Sequence, residues 1–83
     1  LAKENFDKGI INFNNELYLE AEKFFDLSLK YIPDRVSTLS NLLICKIKLK
    51  KYRSVKILYQ KLILLIQNIH MEHMQELFIM VKN

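Results

Sequence analysis

An all-α domain is the fold class this sequence predicts, on three observations. The 83 residues include one Gly and one Pro, too few to punctuate the many short strands of a sandwich or barrel. Apolar side chains recur at helical rather than alternating spacing. A shift of 34 residues also superposes the chain on itself, aligning Tyr18 with Tyr52, Ala21 with Val55 and Phe25 with Tyr59. With 51% hydrophobic and 27% charged residues, the composition excludes intrinsic disorder, and the length supports one core and not two.

The elements follow in order. Phe6, Ile10 and Phe13, with Gly9 and Ile11 on adjacent faces, predict a first helix from about Ala2 to Asn14. Asn14 and Asn15 break the pattern and are expected to cap a second helix, with Glu16 in its first turn where the helix dipole favours an anion. Its buried stripe is expected at Leu17, Ala21, Phe24, Phe25, Ser28 and Ile32, with Asp26 and Lys30 paired on the wet side, and Pro33 ends it. Asp34 is expected to cap a third helix carrying Leu39, Leu42, Leu43, Ile47 and Leu49, which runs into a cluster of lysines suited to a helix C-terminus. Tyr52 opens a fourth through Val55, Ile57, Leu58, Leu62, Leu65 and Ile66, apolar on more than one face. The stripe Met71, Met74, Phe78 and Val81 describes a fifth helix or the continuation of the fourth, and a break at Gln67 and Asn68 is the preferred reading.

Within this framework the spacing resembles the tetratricopeptide repeat family, whose helix-turn-helix units of 34 residues stack into a right-handed α-solenoid. The first unit carries the motif in Gly9, Tyr18, Ala21, Phe25 and Pro33. Small residues sit where two helices cross closely, aromatics fill the wedge between them, and proline ends the second helix. The second unit departs from the pattern: Leu43, Val55 and Leu62 replace small residues and Gln67 replaces the proline, so its helices are expected to stand further apart. The resemblance implies a single domain over 1–83, with repeats at about 2–35 and 36–69 and a terminal capping helix at about 70–82, about five helices in all. Two repeats are fewer than such arrays usually need, which points to flanking sequence or self-association, and Leu1 in place of Met is expected of a segment cut from a longer protein.

By the same resemblance, a peptide or helical segment of a partner lies in the groove lined by the first helix of each unit. The groove residues are then Lys3, Phe6, Ile10, Phe13 and Asn14, followed by Ser37, Asn41, Ile44 and Lys48. Members that grip chaperone C-termini use lysines, asparagines and an arginine at such positions. Here Asn41 alone matches, while Phe6, Ile10, Met71 and Gln75 occupy the other clamp positions, so an apolar or amphipathic segment is the expected ligand. The domain is expected to act as a scaffold or adaptor. The alternative is a homodimer or larger assembly formed through the apolar fourth and fifth helices.

Charge is unevenly spread. Leu1 to Arg35 carries a net −2, Val36 to Ile69 carries +7 with no acidic residue, and His70 onward carries −1. The basic edge is Lys46, Lys48, Lys50, Lys51, Arg53 and Lys56, around one helix-helix turn. It reads first as a solvated face and next as a contact for an acidic protein. RNA or an anionic surface ranks lower, because Tyr52 alone interleaves it.

The remaining candidates read as packing or surface. His70, His73 and Glu76 share a helix face, yet the pattern is not H-E-x-x-H and is expected to be solvated surface and not a metal site. Cys45 lies among Leu43, Ile44 and Ile47, as a small core hydrophobe does, and Met71, Met74 and Met80 read as packing. No phosphate-cradling glycine loop, nucleophile-base set or split carboxylate pair is present, so neither enzyme nor cofactor is expected. The lone cysteine forbids an internal disulfide and suits a reducing, cytoplasmic setting. The longest apolar run, Leu62 to Ile66, falls far short of the roughly 20 residues of a membrane span.

Overall fold

The computed structural model describes the backbone of residues 1–82 and the side chains of residues 1–69. Four helices follow in order: α1 (Ala2–Asn14), α2 (Tyr18–Tyr31), α3 (Val36–Lys48) and α4 (Tyr52–Lys82). Consecutive helices pack on one another and run antiparallel. The buried Ser28 hydroxyl, late in α2, donates to the Ala2 carbonyl at the start of α1 (2.8 Å). Lys46, late in α3, reaches Glu22 early in α2.

Helix boundaries recur at the 34-residue interval. Ala2–Asn14 and Val36–Lys48 match at both ends, and Tyr18 and Tyr52 open the second helix of each unit. The turns inside the units are also equivalent. Glu16 and Lys50 both adopt left-handed conformations, at φ 61° and 60°. Around Glu16, its own N–H donates to Phe13 O and the Leu17 N–H to Asn12 O; around Lys50, Lys50 donates to Ile47 O and Lys51 to Lys46 O. Each is a Schellman closure, which satisfies two of the carbonyls a helix end leaves free.

Two capping expectations are corrected by this geometry. Asn15 sits at the C-terminal end of α1, Leu17 is the N-cap of α2 and Glu16 lies in the turn, because the Schellman closure consumes those residues. Arg35, not Asp34, is the N-cap of α3, and the Asp34 carboxylate instead lies 3.5 Å from Lys61 Nζ. Leu17 and Ile32 are exposed and not part of the α2 stripe, and Asp26 does not close an ion pair with Lys30.

The fifth helix is also corrected: α4 runs without a break from Tyr52 to Lys82, so the helices number four and no separate element begins at 70. Pro33 explains the contrast. A residue before proline is forced toward extended backbone, and Ile32 has φ −134°, ψ 91°, so α2 must stop. Gln67, 34 residues on, keeps its N–H and clashes with nothing, and Asn68 costs only a few tenths of a kcal/mol. At 1.5 Å per residue α4 is about 46 Å long, nearly the 52 Å long axis of the molecule.

The core is Ala21, Phe25, Leu39, Leu42, Cys45, Leu58 and Leu62, with Phe6, Ile10, Phe13, Tyr18, Leu29, Val36, Leu43 and Leu65 packed around it. Gly9 is required where α1 crosses α2: a Cβ there would lie 2.5 Å from Phe25 Cε1 and 2.6 Å from Cδ1. Among the described residues, no helix is long and apolar enough to cross a membrane.

Candidate protein-binding surfaces

Helices α1 and α3 supply the nine groove candidates. Lys3, Asn14, Ser37, Ile44 and Lys48 are exposed, with Ile44 at 41%; Phe6, Ile10, Phe13 and Asn41 are half-buried. Lys3 is drawn to Asp7 (2.8 Å), and the Asn41 amide donates to Ser37 O (2.8 Å). Phe6 meets Phe25, at 5.8 Å between ring centroids, and the Arg35 guanidinium stands 5.2 Å over its ring. Phe13 meets Tyr18 edge-on at 5.5 Å, and Lys48 Nζ stands 5.9 Å from the Tyr18 ring. Cations from both ends of the second unit's first helix thus sit over first-unit aromatics, an attraction worth about 0.5–1 kcal/mol at exposed sites. Sequence reasoning passed over Arg35, because the residue lies outside both helices that it joins.

The basic edge separates into two groups. Lys46 and Lys51 turn inward to Glu22: Lys46 Nζ is 3.1 Å from Oε2 and Lys51 Nζ 2.7 Å from Oε1. Glu22 is only 7% exposed. Burial pushes its carboxyl pKa up, but the hydrogen bonds and positive charges of Lys51 and Lys46 together outweigh that and hold it below the ordinary value. This clamp fastens α2 to the end of α3 and the turn beyond. It was not visible in the sequence, since its partners lie 24 and 29 residues from Glu22. Lys48, Lys50, Arg53 and Lys56 remain exposed and outside this clamp, so the outward-facing charge is carried by fewer groups than the cluster suggests.

Cys45 is fully buried and its thiol is pushed up to about 11, first by burial and next by Glu22. A thiol so held stays protonated at neutral pH and packs as a hydrophobe. His70, His73, Glu76, Met71, Met74, Met80 and Gln75 lie outside the residues whose side chains are described. Among the described residues, no three His, Cys, Asp or Glu groups gather closely enough to hold a metal ion.

A further apolar surface lies on α4. Tyr59 and Ile66 are exposed there, Ile63 is half-buried, and a shallow cavity of about 380 Å³ is bounded by Tyr59, Gln60, Ile63 and Leu64. No protein family, curated protein or solved structure matches this chain.

Proposed function

We propose that this chain is a protein-interaction module of the tetratricopeptide kind, a scaffold or adaptor that takes a peptide or helical segment of a partner along α1 and α3. The recurrence of helix, Schellman turn and helix at 34 residues is the observation that carries this reading. On this reading α1 and α3 are equivalent members of a two-unit stack. Phe6, Ile10, Phe13 and Ile44 supply apolar contact, and Lys3, Asn14, Ser37, Asn41 and Lys48 supply polar edges. Helix-in-groove recognition requires an apolar strip with a polar margin of this sort.

A photo-crosslinking residue at Ile44 tests the proposal, with a second at the exposed Leu19 on α2 as the control. In an extract of the native source, the probe at Ile44 is expected to capture a protein that the Leu19 probe does not. Equal capture from both positions, or capture at Leu19 alone, would remove the groove from consideration.

A further inference from the structure

Helix α2 is flanked on two sides. One flank meets α1: Ser28 bonds to Ala2, Phe24 lies beneath Lys8, and Phe25 rests on Gly9. The other flank, which bears Glu22 and, two turns on, Leu29, meets α3 through Lys46. The 34-residue equivalents of Ala21, Phe24 and Ser28, namely Val55, Leu58 and Leu62, are buried or half-buried. On the second flank of α4, Lys56 stands for Glu22 and Ile63 for Leu29, and between them Tyr59 stands for Phe25, which borders both flanks of α2. Because α4 continues where Pro33 turned α2 back, no helix among the described residues returns to cover this flank. Phe25 is 0% exposed and Tyr59 is 55% exposed.

The charge on this flank selects the occupant. In the first unit the covered flank presents a carboxylate and the arriving helix presents lysines. In the second, the flank presents Lys56 with Arg53 one turn before it, both exposed, and Val36 to Ile69 contains no acidic residue. A second copy docked through the same Arg53 to Ile63 stretch of its own α4 would bring like charges together, since the acidic residues of α4, Glu72 and Glu76, lie beyond that stretch. The outer side of α1 is no better suited to stack there: Glu4, Asn5 and Lys8 occupy the places of Thr38, Leu39 and Leu42, three of the four buried residues of α3, and Ile11, at the place of Cys45, is the one apolar match. We propose that the Lys56, Tyr59 and Ile63 flank of α4 docks an acidic amphipathic helix of a protein partner, in the position that α3 takes on α2 but with the charges exchanged. Its apolar residues follow the i, i+3, i+6 spacing of Leu39, Leu42 and Cys45, and a carboxylate stands where α3 has Lys46. This surface is separate from the α1 and α3 groove and does not depend on it.

Two synthetic helical peptides test the proposal against the full chain by fluorescence anisotropy. Both carry leucine at i, i+3 and i+6; one has Glu at i+7 and a turn later, the other Lys. The Glu peptide is expected to bind at least tenfold more tightly than the Lys peptide. Lys56→Glu should reverse that preference, and Tyr59→Ala should weaken the Glu peptide at least fivefold while leaving the circular dichroism unchanged. Ile44→Ala should leave the affinity as it was. The proposal is overturned by equal binding of the two peptides, by no binding at millimolar peptide, or by loss through Ile44→Ala. It is equally overturned if sedimentation shows a dimer that Tyr59→Ala dissociates.

Discussion

The two units share a length, a turn geometry and an opening tyrosine, and they differ in how their helices meet. In the first, Gly9 lets α1 settle onto the Phe25 ring, so that ring is sealed between α1 and α3. In the second, Leu43 stands at the place of Gly9 and Tyr59 at the place of Phe25. The contact between α3 and α4 is correspondingly sparser than that between α1 and α2, and Tyr59 faces outward. The shared backbone plan thus accommodates large residues in the second unit where the first has small ones, but the closure of the wedge does not. The first unit is closed and supplies stability, whereas the second is open and supplies surface.

Truncating the paired aromatics breaks this comparison most sharply. Phe25→Ala is expected to cost about 3–5 kcal/mol in urea denaturation, because it empties a sealed site. Tyr59→Ala should cost under about 0.5 kcal/mol, as exposed positions do; similar losses at the two sites would contradict the distinction.

Gly9→Ala comes next. Its Cβ would overlap a ring with packing on both sides, so α1 and α2 must separate, and overpacking of this kind costs about 1–3 kcal/mol. A gain in the thermal midpoint, as helix propensity alone predicts, would show that the crossing has slack.

Glu22→Gln tests what fastens the closed unit to the open one, and should cost about 1–3 kcal/mol at pH 7. The Glu22 carboxyl titrates below its ordinary value in the folded chain. Its contribution is therefore complete above the unfolded value of about 4.3 and drains away as pH falls through the lower folded value. Wild-type stability should drop between pH 5 and pH 3 more steeply than that of Glu22→Gln, and parallel slopes would assign the acid sensitivity elsewhere.

The smallest effect concerns what the units share. Glycine at Glu16 or at Lys50 relieves a left-handed residue that carries a Cβ, and each should stabilise by about 0.5–1 kcal/mol. Unequal responses would show that the two turns are not equivalent.

Much of this was legible in the residues. Pro33 and the period of 34 placed the helix boundaries, and apolar spacing found most of the core. The closure of both turns was missed for a shared reason: left-handed backbone is expected of glycine or asparagine, and here Glu16 and Lys50 adopt it. The expected break at Gln67 failed because polar residues without a turn-forming constraint do not end a helix. Glu22 reads as surface until α2 and α3 are stacked, for only tertiary packing brings two lysines onto it. Among the binding candidates, the groove positions rest on the 34-residue spacing as a proposal, and the alignment of Phe25 with Tyr59 already contained the open flank. That flank became visible only once α4 was seen to continue past the point where α2 stops.

Amide hydrogen exchange compares the two units residue by residue and tests the closed and open distinction most directly. Helix α2 is held by neighbours on two sides, and α4 by one among the described residues, so opening the first should approach global unfolding while the second opens locally. Amides of Ala21 to Leu29 are expected to exchange at least tenfold more slowly than their equivalents from Val55 to Ile63. Equal protection in the two stretches, or slower exchange in α4, would contradict it.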